Sequence, residues 1–112
     1  MAIFGYARVS TLDQNLDSQK DELSKYGCSK IFFEKASAKN VLRPELEKLL
    51  ASLRENDIVV VYKLDRLARS LKDLIDLVSL LEAKKVDLVS LSDGINTVSA
   101  VGKLMFHLVG AF

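Results

Sequence analysis

The chain has 112 residues, room for one compact domain, with 49% hydrophobic and 28% charged residues, as in a soluble globular protein. Sixteen Lys and Arg against fifteen Asp and Glu leave a formal net charge of +1, which argues against a body that is basic throughout and makes any anion site local. Met1-Ala2-Ile3-Phe4 lacks the charged start and long apolar stretch of a signal peptide, and Cys28 and His107 are the only residues of their types. The expectation is therefore a cytoplasmic protein with no membrane partner, no internal disulfide, no cofactor and no metal held by Cys and His.

Ala2 to Arg8 is a nearly continuous apolar run, the pattern of a strand buried on both faces of a parallel sheet. Leu16, Gln19, Leu23 and Tyr26 then recur at helical spacing, and Gly27 closes that helix. Ile31-Phe32-Phe33 reads as a second strand, and a polar loop from Lys35 to Leu42 follows. Arg43-Pro44 opens a second helix carrying Leu46, Leu49, Leu50 and Leu53, and Glu55-Asn56-Asp57 turns the chain into a third strand, Ile58 to Tyr62. Leu71, Leu74, Ile75, Val78 and Leu81 mark a third helix, Val86 to Leu91 a fourth strand, and Ser92-Asp93-Gly94 a turn. Val98 to Phe112 is apolar beyond one face and ends without a stop signal, so it predicts a terminal helix that continues past Phe112 and meets a partner.

Alternating strands and helices predict an α/β fold with a mostly parallel sheet. In such sheets ligands bind beyond the carboxyl ends of the strands, where the strand order reverses. With the first strand between the second and the third, Arg8 and Ser10 stand at one lip of that point and Lys63, Asp65, Arg66 and Arg69 at the other. The spacing places Arg66 and Arg69 on one face at the start of a helix, with Asp65 as its cap and as an orienting partner for a guanidinium. Guanidinium forks match phosphate oxygens and suit the added negative charge of a phosphoryl-transfer transition state, so Ser10 becomes a candidate nucleophile toward a phosphate ester.

Each part has a plainer reading taken alone. Ser10 with Asp13 fits a helix cap, and Asp65 with Arg66 and Arg69 fits a cap with surface ion pairs. A receiver-type signalling module would need an acidic pocket at the same strand ends, and a nucleotide-binding fold would need a glycine-rich turn, which Val9-Ser10-Thr11-Leu12-Asp13 lacks.

Tyr6-Ala7-Arg8-Val9-Ser10-Thr11, Gln14, Gln19, Ser37, Arg43-Pro44 and Leu64-Asp65-Arg66-Leu67-Ala68-Arg69 together resemble the catalytic domain of serine recombinases of the resolvase/invertase type. The resemblance covers essentially the whole chain. It implies a three-layer, flavodoxin-like domain of four or five mostly parallel strands over residues 1–97, and the start of a long dimerisation helix over 98–112, truncated at the chain end. It implies DNA strand exchange in which Ser10 forms a 5′-phosphoserine link. Arg8, Arg66 and Arg69 would bind the scissile phosphate, Asp65 would orient them, and Arg43 would come in from its loop. Gln14, Gln19, Tyr6 and Ser37 would support this set. The implied partners are a double-stranded recombination site, a second copy in a homodimer, and a tetramer in the synaptic complex. Three departures stand out: Ala38 where the family usually has glycine, Ser52 where some relatives are basic, and a chain that stops before the Glu-Arg element and the helix-turn-helix DNA-binding domain.

Overall fold

The computed structural model describes residues 2–9, 16–35, 43–68 and 70–96. In chain order the elements are β1 (Ile3–Val9), α1 (Leu16–Tyr26), β2 (Lys30–Lys35), α2 (Pro44–Ser52), β3 (Ile58–Val61), α3 (Leu64–Leu67), α4 (Leu71–Ala83), β4 (Asp87–Ser90) and β5 (Ile95–Asn96). The sheet order is β2-β1-β3-β4-β5; the first four strands are parallel, and the two-residue β5 pairs antiparallel to β4 at the edge. The expected α/β fold is therefore present, with β1 at the point where the strand order reverses.

Both faces of the sheet are covered, which explains why β1 and β3 read as unbroken apolar runs. On one face Tyr6, Phe32, Val59, Val61 and Leu88 pack with Leu46 and Leu49 of α2 and with Leu74, Leu77, Val78 and Leu81 of α4. On the other, Ala7, Ile58, Val60 and Val89 pack with Leu23 of α1. Gly5 lies under α1, where an added Cβ would meet Cys28 Sγ at 3.1 Å, Ile31 Cγ1 at 3.2 Å and Leu23 Cδ1 at 3.3 Å. Any side chain there would have to push these three side chains aside, so glycine suits the close packing over β1.

The punctuation behaves as its chemistry dictates. Gly27 ends α1 with φ +105°, Asn56 turns into β3 with φ +73°, and Pro44 occupies the first turn of α2, where its missing N–H costs nothing. Asp57, buried, accepts from the backbone N–H groups of Ala2 (2.9 Å) and Arg54 (2.8 Å), and so fixes the amino ends of β1 and β3 together.

One expectation is corrected. The helix start expected to carry Arg66 and Arg69 on one face is interrupted: α3 is a single turn that stops at Leu67, Ala68 is extended (φ −115°, ψ 145°), and α4 starts afresh with Ser70 as its cap, accepting from the Asp73 N–H at 3.1 Å. Burial explains the break. Leu67 and Ala68 are both buried in the same core as Leu74 and Leu77 of α4, and the extended Ala68 between the two helices lets both reach it. Asp65 lies inside α3, and its residue before the turn is Lys63, so Asp65 is not the cap. The terminal helix expected from Val98 lies outside the described residues.

Candidate active site

The α3 turn, which carries Arg66, sits at the carboxyl ends of β1 and β3, and two arginines from separate parts of the chain converge on it. Arg8 projects from the end of β1, next to the position after which Val9 leads to Ser10. Its Nε donates to the Arg66 carbonyl at 3.0 Å and its Nη2 to the Asp65 carbonyl at 2.5 Å. Arg43, from the residue before α2, donates from Nη1 to the Leu67 carbonyl at 2.5 Å and from Nη2 to Asp73 Oδ2 at 3.0 Å. Successive carbonyls of one helical turn are thus received by two guanidiniums, the favourable charge for a helix carboxyl end.

Arg8 and Arg43 are buried, with 7% and 6% of their surface exposed, whereas Arg66 is half-buried. Burial pushes the Arg8 guanidinium below its ordinary pKa; Tyr6 opposes this, and repulsion from Arg43 and Arg66 adds to it. Three cations gathered this closely repel one another and attract an anion in the same measure.

Beneath the arginines lies a buried carboxylate that sequence reasoning missed. Glu34 Oε2 accepts from Tyr6 Oη at 3.3 Å and from the Leu46 N–H at 3.0 Å, so it joins β1, β2 and the first turn of α2 that follows Arg43. Burial, and after it the neighbouring Glu34 charge, holds the Tyr6 hydroxyl well above its usual pKa, which keeps Tyr6 a donor. Glu34 ends an apolar run between Phe33 and Lys35, so by residue type it looks like a surface charge. The available signal was period two, which puts Glu34 on the same face as buried Phe32.

Asp73 was missed as well. It is the carboxylate that pairs with Arg43, while Asp65 is mostly exposed and stands only 3.8 Å from its own neighbour Arg66. Such an exposed contact adds little to stability; what Asp65 offers Arg8 is its backbone carbonyl. Gln19, buried on α1, donates from Nε2 to the Arg8 carbonyl at 3.4 Å, so it supports the strand end that carries the arginine. Its Oε1 meets no donor among the described residues. The structure therefore gathers Arg8, Arg43, Asp65 and Arg66 at the α3 turn, with Tyr6 buried beneath them and Gln19 holding the Arg8 carbonyl from α1 on the opposite face of the sheet. Ser10, Gln14, Ser37 and Arg69 lie outside the described residues. No three His, Cys, Asp or Glu side chains among the described residues are placed to share a metal ion, so the acidic pocket that a receiver module needs is not formed by them.

Comparison with known proteins identifies the family of the chain. The family model described as "Resolvase, N terminal domain" matches residues 3–112. The chain is 47% identical over 109 residues to the Tn917 transposon resolvase of Enterococcus faecalis, covering 97% of this chain and 59% of that protein. It is 44% identical over 111 residues to the DNA-invertase hin of Salmonella typhimurium, covering 99% of this chain and 58% of that protein. Among solved structures, the N-terminal catalytic domain of TP901-1 integrase superposes with a TM-score of 0.83 at 32% identity, over 99% of this chain and 92% of that one. The chain thus spans less than two thirds of the length of these two curated relatives, and by its family match and its identity to them it belongs to the resolvase N-terminal domain family.

Proposed function

We propose that this chain is the catalytic domain of a serine site-specific recombinase that cuts and rejoins double-stranded DNA. The observation that carries the reading is the convergence of Arg43 and of Arg8, two residues along the chain from Ser10, on the α3 turn that carries Arg66 at the strand-order switch point. Family membership supports it, as do relatives named as a transposon resolvase and a DNA-invertase.

In this reading the Ser10 hydroxyl attacks the scissile phosphorus, the P–O3′ bond breaks, and the 3′ oxygen leaves as a hydroxyl after taking up a proton. The product is a 5′-phosphoserine link that keeps the energy of the broken ester. A 3′-hydroxyl from another strand then attacks the same phosphorus and releases Ser10, so no nucleotide cofactor is consumed. Arg8, Arg66, Arg69 and Arg43 neutralise the charge that builds on the phosphoryl oxygens; Asp65 orients Arg8 through its carbonyl and Arg66 through its carboxylate, and Asp73 orients Arg43. Tyr6, Gln14, Gln19 and Ser37 hold the nucleophile and the arginines in place.

The chain's near-neutral charge fits a division of labour in which sequence recognition rests on a separate basic DNA-binding part and this domain supplies chemistry. Function as a homodimer that pairs into a tetramer at synapsis, and a cytoplasmic location beside the DNA, follow from the same reading. The test is cleavage of supercoiled plasmid bearing the recombination site by the full-length protein. Nicked and linear products should carry extendable 3′-hydroxyls and blocked 5′ ends; products with free 5′-phosphates would refute the serine mechanism.

A further inference from the structure

The α3 turn has only four residues, closed by a bond from the Ala68 N–H to the Leu64 carbonyl at 2.9 Å. A single turn does not stabilise itself, because nucleation fixes several dihedral angles for one hydrogen bond. Its position is set from outside. Arg8 and Arg43 hold its carboxyl end, while the residue that should cap its amino end, Lys63, makes no side-chain cap bond.

The amino end is held from the turn after β4. Asp93 Oδ2 accepts the Leu64 N–H at 2.8 Å and the Ser90 hydroxyl at 2.6 Å. Ser90 is the last residue of β4 and is fully buried, so its hydroxyl ties the exposed Asp93 carboxylate to the rigid sheet. The turn is pinned at two further points, where the Leu91 N–H donates to the Val61 carbonyl at 3.0 Å and the Ser92 N–H to the Tyr62 carbonyl at 2.8 Å. Gly94, with φ +68°, lets the chain reverse just after Asp93. Asp93 thus does from 29 residues away what an N-cap does locally.

We propose that Asp93, braced by Ser90, is a positioning residue for the arginine cluster: it fixes the amino end of α3, and with it Arg66 and the carbonyls on which Arg8 rests. Its service to phosphate binding rests on the recombinase reading above; its hold on the turn does not.

The test uses the 15N-labelled 112-residue chain with inorganic phosphate as the probe. Amide hydrogen exchange is followed at Leu64, with Val59 and Val60 of β3 as reference, and phosphate binding is followed at the arginine Nε–H resonances. Asp93→Ala speeds exchange at Leu64 about tenfold, the scale of a lost cap, leaves Val59 and Val60 unchanged, and weakens phosphate binding about fivefold. Asp93→Asn, whose amide oxygen still accepts from Leu64, stays within about twofold of the parent in both. Unchanged Leu64 exchange in Asp93→Ala overturns the proposal. Equal acceleration at Val59 and Val60, or no rescue by asparagine, makes Asp93 a general fold residue and overturns it too. If phosphate moves no arginine resonance in the parent chain, the phosphate reading of the cluster falls, while Leu64 exchange still decides whether Asp93 holds the turn.

Discussion

Arg8 holds Arg66 by its backbone: the Arg8 Nε donates to the Arg66 carbonyl oxygen at 3.0 Å, and the adjacent Asp65 carbonyl takes a second bond from the same guanidinium. Two residues 58 apart in sequence are thereby locked into one crevice, and the first arginine serves the fold as well as the site. Arg8→Ala leaves these carbonyls without their partner in a partly buried place. It is expected to cost about 2–4 kcal/mol in urea unfolding, with Arg8→Lys, which keeps one donor, intermediate.

Glu34 is expected to matter through its acceptor oxygens. Glu34→Ala strands the Tyr6 hydroxyl and the Leu46 N–H and should cost about 2–3 kcal/mol, whereas Glu34→Gln retains an acceptor and should cost less. Tyr6→Phe removes only the longer of the two bonds and should cost about 1 kcal/mol. Denaturant midpoints at constant m value give the comparison; a Gln variant as unstable as the Ala variant would show that the charge itself is required.

Cys28 supplies a pH test. Burial raises its thiol pKa from 9.0 to about 11. The folded state therefore binds the proton more tightly, and the associated stability is fully present below the unfolded value and lost as pH rises through about 11. The thiolate is the nucleophile, so iodoacetamide at pH 9 should modify the native chain at least about tenfold more slowly than the urea-unfolded chain. Equal rates would mean that the thiol is not shielded under α1.

Arg43 and Asp73 form a pair, the arginine buried and the carboxylate partly so. Asp73→Asn keeps an acceptor and the helix cap, since the Ser70 hydroxyl accepts from the Asp73 backbone, but it removes the charge facing Arg43. Strand cleavage by the full-length protein is expected to fall about tenfold with DNA affinity within about twofold, because Arg43 is then less firmly placed. A loss of affinity with cleavage of bound DNA unchanged would assign Asp73 to binding.

The sheet was legible because its strands are covered on both sides. Val59, Val60 and Val61 can be read as a buried parallel strand with no knowledge of their neighbours, and β1 likewise. The break between α3 and α4 was not legible: Ala68 is a good helix former, no glycine or proline marks the site, and the extension there is imposed by tertiary burial of Leu67 and Ala68. Arg43 was reached only through the family resemblance, whereas Arg8 and Arg66 were legible as a cluster because topology alone brings the ends of β1 and β3 together. Their partners were not. Glu34 looks like the charged end of an apolar run, Asp73 looks like first-turn acidity, and Asp93 looks like ordinary turn chemistry. Each acquires its role only when distant segments meet.

The most direct measurement of the central claim is mass spectrometry of the protein–DNA adduct trapped on the recombination site, after protease and nuclease digestion. The account predicts a nucleotide joined through its 5′-phosphate to the peptide containing Ser10, and no adduct from Ser10→Ala. An adduct on another side chain, or one that persists in Ser10→Ala, would contradict it.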